Sequence, residues 1–150
     1  MLLGLCHDVV LENNGDFNAN SPDELAFVYF AKLVGANYAG KDEDNNVVMD
    51  EFGIDRKYKV LDIFEFDSTR KRMSVIVEDE DGKIILYCKG ADSIMLPRYN
   101  KDKMENKEEL INNLERFAAI GLRTLLLGQK EFTKEEYDQF KSEYDVKNAY

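Results

Sequence analysis

The chain has 150 residues with a formal net charge of −10, and 44% of its residues are hydrophobic. A chain of this length forms one domain that buries roughly 70% of its unfolded surface, and the hydrophobic content excludes global disorder. The negative charge repels phosphate backbones, which argues against a nucleic-acid-binding protein.

The N-terminal region predicts a domain without a leader or a membrane anchor. The segment MLLGL lacks a basic flank and is too short for a signal-peptide core, and no apolar run approaches the roughly 20 residues of a membrane span. The two cysteines, Cys6 and Cys88, show no metal-ligand spacing and indicate a reduced, cytosolic environment. We expect His7 to be packed near a strand end. Surface loops are predicted at Glu12–Asn20 and Gly40–Asn46.

Three helices are predicted from their first residues. Ser21–Glu24 (SPDE) combines a capping hydroxyl, a proline at the first helical position and an acid three residues after the cap. The second helix runs from Lys107 to Ile120, and the third begins with the capping-box pattern at Thr133. The predicted apolar stripes are Ala26, Tyr29, Phe30 and Leu33, with Gly35 as the helix end; Leu110, Ile111, Leu114, Phe117 and Ala118, with Gly121 as the end; and Tyr137, Phe140 and Tyr144.

The middle of the chain predicts strands. They are Tyr58–Phe66, Arg72–Glu78, Lys83–Lys89 and Leu122–Gln129. The dipeptide Asp81-Gly82 is typical of a two-residue type I′ turn, which would pair Ser74 with Lys89 across the hairpin. Strands joined by tight turns, with helices towards both ends of the chain, predict an α+β fold with an antiparallel β-sheet flanked by helices.

The common catalytic motifs are absent. The sequence contains no GxxxxGK[ST] loop, no GxGxxG, no HExxH and no GxSxG, and a single histidine argues against a catalytic triad or a multi-histidine metal site. The acids Asp79–Asp81 are expected to form a solvated turn rather than a metal cluster. We therefore assign no catalytic residue and no metal ligand.

Four segments carry residues that are unusual for their positions. Three consecutive cations, Arg70–Arg72, could hold an anion or could simply balance nearby acids. At a strand end, Gly90 permits close approach to the backbone and Lys89 supplies a cation, although both could belong to an ordinary surface turn. Arg123 follows a helix end and is uninformative alone, and Glu24 could be only a capping-box acid. The residue patterns leave both interpretations open for each segment.

In this order, the segments resemble the nucleotide-binding domain of a P-type ATPase, specifically of the phospholipid flippase branch. The matching stretches are LCH at 5–7, SPDE at 21–24, FEFDSTRKRMSVIV at 64–77, LYCKGAD at 86–92 and GLRTL at 121–125. KGA and the later arginine recur across the superfamily, whereas RKRMSVIV together with SPDE is specific to flippases. Because the phosphorylation motif DKTG and the TGD loop are absent, the resemblance implies a single nucleotide-binding domain, residues 1–150, excised from a larger membrane ATPase.

The resemblance implies a pocket for the adenosine of ATP and assigns residues to it. Phe66 matches the phenylalanine that stacks on adenine, and Lys89 matches the lysine that lines the purine pocket. Glu24 matches the glutamate that accepts from the adenine amino group, and Arg123 matches an arginine that pairs with a phosphate oxygen. Second-tier candidates around the pocket are Ser68, Arg72, Met73 and Gly90. Magnesium would accompany the phosphates, with its ligands mainly outside these residues.

The resemblance also implies a role in a larger protein. Such a domain holds Mg-ATP and presents the γ-phosphate to an aspartate of the phosphorylation domain; with the actuator and membrane domains, this cycle moves a phospholipid between leaflets from the cytosolic face of a membrane. The fragment itself supplies no nucleophile and is expected to bind ATP without turning it over. Two alternatives are the nucleotide-binding domain of a cation-pumping P-type ATPase and a non-catalytic interaction domain of the same fold.

Overall fold

The strands of the computed structural model, which describes residues 1–104 and 106–148, form two antiparallel sheets. The small sheet contains β1 (Val10–Leu11) and β2 (Phe17–Asn18). The six strands of the large sheet pair in chain order: β3 (Ala36–Lys41), β4 (Val47–Glu51), β5 (Ile54–Phe64), β6 (Arg72–Glu78), β7 (Ile84–Gly90) and β8 (Leu126–Phe132). The helices are α1 (Leu2–Leu5), α2 (Pro22–Leu33), α3 (Asp92–Met95), α4 (Lys107–Ala119) and α5 (Lys134–Asn148), with 3₁₀ turns at Leu96–Arg98 and Lys101–Lys103. The predicted α+β fold is confirmed.

Both faces of the large sheet are covered, and alternation along β6 assigns side chains to each face. Met73 and Val75 pack with residues of α1 and α2 in the larger core, on what we call the α2 face. Ile76 packs with Tyr137 and Phe140 of α5 in a smaller core, on what we call the α5 face. Because β6 is buried on both sides, its sequence is a nearly continuous apolar run. In the described part of the chain, no helix is long and apolar enough to cross a membrane.

The hairpin between β6 and β7 differs from the predicted two-residue turn. The amide of Asp79 donates to the carbonyl of Lys83 at 3.0 Å, so Glu80–Gly82 form a three-residue loop. Within this loop only Gly82 has a positive φ, of 77°, whereas a type I′ turn requires two such residues. The loop is exposed to solvent, as predicted for its acids.

The longer loop changes the register of the hairpin. Ser74 lies opposite Cys88, and Met73 lies opposite Lys89, so the predicted pairing of Ser74 with Lys89 is wrong by one residue. A shift of one residue exchanges the two faces of a strand. Lys89 therefore shares the α2 face with Met73, and the side chains of Ser74 and Cys88 lie on the α5 face.

Other strands begin or end at positions the sequence did not predict. The predicted strand Tyr58–Phe66 begins earlier and ends at Phe64, and the predicted strand Leu122–Gln129 begins only at Leu126 and continues to Phe132. Strands β3 and β4 were missed because ANYAGK and VVMDE contain residues of low strand propensity. Gly40 belongs to β3, so only residues 42–46 of the predicted second loop connect strands, and the first predicted loop contains β2.

The predicted apolar stripe of α2 is wrong. The helix buries Val28 and Ala31, whereas Phe30 is 53% and Leu33 82% exposed. Because α2 carries apolar side chains on several sides, periodicity alone does not select the buried side. The helix does end as predicted, with Gly35 at φ +87°.

The two later helices follow their end signals. The predicted capping box of α5 is confirmed, since Thr133 Oγ1 accepts from the amide of Glu136 at 3.2 Å and the Glu136 carboxylate accepts from the amide of Thr133 at 2.8 Å. Helix α4 ends at Ala119, and Gly121 follows at φ +79°. Its predicted stripe packs only loosely, because none of the residues of α4 is fully buried.

Candidate functional site

Lys89 is a buried charge at the C-terminal end of β7, with 4% of its side chain exposed. Its Nζ lies 2.6 Å from both carboxylate oxygens of Glu24, in the first turn of α2. Phe27 follows Glu24 by three residues and so lies on the same side of α2. The centroid of its ring is 5.1 Å from Nζ of Lys89, which adds a cation–π attraction. A buried ammonium requires such partners, so the interpretation of Lys89 as a surface lysine is wrong.

The carboxylate of Glu24 serves Lys89 rather than the start of its helix. The side chain of Ser21 makes no capping hydrogen bond at the N-terminus of α2, although its position and the following proline match the predicted helix start. Both oxygens of Glu24 accept from Nζ of Lys89. The SPDE segment therefore starts the helix and also places an acid against the sheet.

The floor beneath Lys89 is neutral. Cys6 is fully buried next to the backbone of Lys89, and burial raises the pKa of its thiol to about 12. His7 is held between two backbone groups: its Nε2 lies 2.9 Å from the carbonyl of Gly4, and its Nδ1 accepts from the amide of Val9 at 3.0 Å. Burial lowers the pKa of His7 to about 4. His7 is thus the packed residue that was expected, and Cys6 and Cys88 are both free thiols.

Arg123 approaches the same end of the sheet from the segment that precedes β8. Its Nη2 lies 2.9 Å from a carboxylate oxygen of Asp23, and 83% of its side chain is exposed. Asp23 immediately precedes Glu24, so adjacent carboxylates of α2 bind two cations, one at the end of β7 and one in the segment before β8. An exposed pair of this kind contributes about 0–1 kcal/mol, so the guanidinium can exchange Asp23 for another anion at little cost.

Phe66 follows β5 and precedes a hydrogen-bonded turn. The Oδ1 of Asp67 accepts from the amides of Thr69 and Arg70, at 2.8 and 2.7 Å. These bonds and the nearby arginines lower the pKa of Asp67, so it stays ionised at neutral pH. These hydrogen bonds stabilise the turn that follows Phe66.

Phe66 is 63% exposed. The connection that carries it meets the end of β7, where the amide of Ala91 donates to the carbonyl of Lys71 at 3.1 Å. Phe66 thus lies at the same end of the sheet as Lys89. Within residues 1–104 and 106–148, no described hydrogen bond or ring contact joins Phe66 to Glu24, Lys89 or Arg123.

The second-tier candidates divide between the two faces. Met73 is 7% exposed and lies beside Lys89 on the α2 face. Ser68 is exposed in the turn after Phe66. Arg72 is displaced from Met73 by one residue and lines a cavity on the α5 face, away from Lys89.

Gly90 has a structural role that the sequence did not reveal. A Cβ atom at this position would lie 2.6 Å from Cβ of Arg72 and 2.7 Å from the carbonyl oxygen of Lys71. The absence of a side chain at Gly90 therefore allows the backbone of β6 and of the residue before it to approach β7 closely. This contact joins the turn after Phe66 to the end of β7.

An apolar cleft adjoins the pair of Arg123 and Asp23. Its volume is about 660 Å³, and it lies between α2, α4 and the segment that leads into β8. Phe27 lines this cleft as well as contacting Lys89. Asp23 and Phe27 were not predicted as site residues. Both lie in the first turns of α2, one residue before and three residues after Glu24, and this proximity was the available signal. Among the described residues, no three His, Cys, Asp or Glu side chains are grouped to hold a metal ion.

Comparison with known proteins gives consistent matches. A family model for the P-type ATPase cytoplasmic domain N matches residues 2–149. The chain is 42% identical to phospholipid-transporting ATPase DNF1 of Chaetomium thermophilum, over 97% of this chain and 10% of that protein. It is 41% identical to phospholipid-transporting ATPase dnf2 of Schizosaccharomyces pombe, over 97% of this chain and 11% of that protein. It is 39% identical to probable phospholipid-transporting ATPase 12 of Arabidopsis thaliana, over 93% and 13% respectively.

Proposed function

The chain belongs to the family of P-type ATPase cytoplasmic N domains, and we propose that it is the ATP-binding domain of a phospholipid-transporting P-type ATPase. The observation that carries the proposal is the buried pair of Lys89 and Glu24, with Arg123 and the exposed ring of Phe66 at the same end of the sheet. The pair supplies a buried cation and a hydrogen-bond acceptor, and the uncharged side chains of Cys6 and His7 pack beneath it. The aromatic ring of Phe66 lies at the same end of the sheet.

The adenine base would stack on Phe66. Phe66 is largely exposed and lies next to a hydrogen-bonded turn, and base stacking contributes about 1–3 kcal/mol per base. Glu24 can accept from the adenine amino group while it keeps Lys89, because a carboxylate offers about four lone-pair sites. Its side chain is 15% exposed, which leaves an edge within reach of the nucleotide.

The phosphates would extend towards Arg123. The guanidinium binds Asp23 only at the surface, and a phosphate offers a stronger, bidentate partner. Magnesium would arrive with the phosphates, and its remaining ligands would come from other domains. We assign no metal ligand and no catalytic residue to this chain.

The chain spans about a tenth of the length of the phospholipid-transporting relatives that it matches. In a parent of that kind, this single domain would present the γ-phosphate to an aspartate of the phosphorylation domain, and an actuator domain and a membrane domain would couple the aspartyl phosphate to phospholipid movement. The domain would lie on the cytosolic face of the membrane. The names of the relatives favour a lipid pump over a cation pump.

An ATP titration followed by amide NMR tests the binding site. We expect saturable shifts centred on Phe66, Lys89 and Arg123, and Phe66→Ala should weaken binding by about fivefold to 150-fold, since one stacked base contributes about 1–3 kcal/mol. Phe52→Ala is the matched control, because Phe52 is an 84% exposed phenylalanine on a different turn, and it should bind as the wild type does. Unchanged affinity in Phe66→Ala would remove the stacking interaction from the proposal.

A phosphate-release assay tests the second part of the proposal. The chain supplies no aspartate in a DKTG motif, so we expect binding of ATP without steady-state hydrolysis. Sustained phosphate release by the purified chain, at a rate that Phe66→Ala reduces, would contradict this expectation.

A further inference from the structure

A second cavity lies on the α5 face of the sheet, opposite the face that holds Lys89. We call it the α5-face hollow; its volume is about 770 Å³, within the range of roughly 300–1,000 Å³ that small-molecule sites occupy. Its floor includes Ser74, Cys88 and Gly128, from three neighbouring strands. A Cβ on Gly128 would lie 3.0 Å from the ring of Tyr99, so this glycine makes room for an aromatic wall.

Three arginines line the α5-face hollow: Arg70, Arg72 and Arg98. Each donates to a backbone carbonyl: Arg70 to Glu65 at 3.0 Å, Arg72 to Arg70 at 3.2 Å and Arg98 to Ile94 at 2.5 Å. Among the described residues, no carboxylate lies within 4.0 Å of any of the three guanidinium groups. A guanidinium has five N–H donors, so most of the donors around this cavity remain available to a ligand.

Arg70 and Arg98 both repel Arg72. Burial, and then the charges of Arg98 and Arg70, lower the pKa of Arg72. Like charges gathered in one cavity repel one another, and a bound anion would relieve that repulsion. The α5-face hollow is thus a positively charged cavity in a protein whose net charge is negative.

The other charged groups of the hollow offset this cluster only in part. Asp67 accepts from the amides of its own turn, and its charge attracts Arg70 and Arg72. Glu65 is exposed. Lys130 adds a fourth cation to the lining and pairs with Glu136 at 3.6 Å. The lining therefore carries more positive than negative groups.

The remaining wall of the hollow is aromatic. Phe64 and Phe140 meet edge to face with centroids 6.1 Å apart, and the guanidinium of Arg70 lies 5.6 Å from the centroid of Phe64. Tyr99 closes the opposite side by donating to the carbonyl of Leu127 at 2.6 Å. An anion bound at the arginines would thus have an apolar surface beside it.

We propose that the α5-face hollow is a second ligand site, which binds a small organic phosphate whose aromatic or apolar body contacts Phe64, Tyr99 and Phe140 while its phosphate contacts Arg70, Arg72 and Arg98. Guanidinium groups bind phosphate oxygens in bidentate pairs, and the aromatic wall adds a preference over inorganic phosphate. The site lies on the opposite sheet face from the proposed ATP site, and it stands on different residues. A ligand here would contact the same turn that carries Phe66, on its other side.

Titration with naphthyl phosphate, followed by amide and arginine side-chain NMR, tests the proposal. We expect saturable shifts at Ser74, Cys88 and Gly128, and at least tenfold weaker binding by Arg98→Gln and by Arg70→Gln. Lys71→Gln is the matched control, because Lys71 is an exposed neighbour of the same charge that does not line the hollow. Inorganic phosphate should bind more weakly at the same arginines, and naphthol without the phosphate should not bind.

The outcomes separate this site from the proposed ATP site. Phe66→Ala should leave naphthyl phosphate binding unchanged, and Arg98→Gln should leave ATP binding unchanged, so either site can fail alone. Failure to saturate at naphthyl phosphate concentrations up to about 10 mM would overturn the proposal, because the free energy of binding would then be weaker than about 3 kcal/mol. So would shifts confined to Phe66 and Lys89, or equal losses in Lys71→Gln and Arg98→Gln.

Discussion

Nζ of Lys89 lies 2.6 Å from both carboxylate oxygens of Glu24, although the two residues are 65 positions apart in the chain. The contact joins the end of β7 to the first turn of α2 and is almost completely buried at the lysine. Because a buried charge is tolerated only with its partner, this pair links the packing of the domain to the electrostatics of the proposed nucleotide site.

Removal of Glu24 is expected to be strongly destabilising. Glu24→Ala leaves the ammonium of Lys89 buried without a counter-charge and should lower the free energy of unfolding by about 3–5 kcal/mol, measured by urea denaturation. Asp23→Ala is the matched control: it breaks the exposed pair with Arg123 and should cost less than about 1 kcal/mol. Similar losses in the two variants would show that the pair of Lys89 and Glu24 behaves like a surface salt bridge.

Gly90→Ala is expected to disturb the pairing of β6 and β7. The added methyl group meets the Cβ of Arg72 and the carbonyl of Lys71, and overpacking of this kind costs about 1–3 kcal/mol, measured by thermal or urea unfolding. Gly128→Ala should cost less, because its nearest neighbours are side-chain atoms of Tyr99 and Met95 at 3.0 and 3.3 Å rather than backbone atoms. The reverse order of stability would contradict the role given to Gly90.

His7 should make the domain less stable in mild acid. Burial lowers its pKa from 6.5 to about 4, so between these values the unfolded state binds a proton that the folded state refuses. The contribution of neutral His7 to the free energy of unfolding is therefore fully present above pH 6.5, and about 3 kcal/mol of it is lost as the pH falls towards 4. Protonation of Nδ1 would also break the bond from the amide of Val9.

The His7→Asn variant isolates this effect from that of the carboxylates. Asparagine keeps an acceptor near Val9 but does not titrate, so its stability should fall less than that of the wild type between pH 6.5 and 4. Urea denaturation across this range gives the difference. Parallel pH profiles of the two proteins would mean that His7 does not contribute to acid sensitivity.

Tyr137→Phe is expected to weaken the attachment of α5 to the sheet. The hydroxyl of Tyr137 donates to a carboxylate oxygen of Asp62 at 2.8 Å, and loss of a hydrogen bond to a charged group costs about 1–3 kcal/mol. Lys141 also binds Asp62, so α5 should remain attached. Tyr29→Phe, at a 49% exposed tyrosine, is the control and should change the free energy of unfolding by less than about 0.5 kcal/mol.

Several features of this protein could be predicted from local residue patterns. The bounds of β6, the capping box at Thr133 and the helix ends before Gly35 and Gly121 all match their signals. These signals depend on neighbours in the chain, such as a hydroxyl three residues before an acid or a glycine that tolerates positive φ. The resemblance of SPDE, KGA and RKRMSVIV to one family has the same local character.

Only the tertiary structure decided which side chains meet. The loop at Glu80–Gly82 is one residue longer than the turn that Asp81-Gly82 predicted, and since strand side chains alternate with a period of two, that residue turns Lys89 towards α2. The apolar surface of α2 fits more than one orientation, and packing of Val28 and Ala31 selected the one that brings Glu24 to the lysine. Long-range contacts of this kind depend on the sum of packing over the whole sheet, which no short stretch of residues encodes.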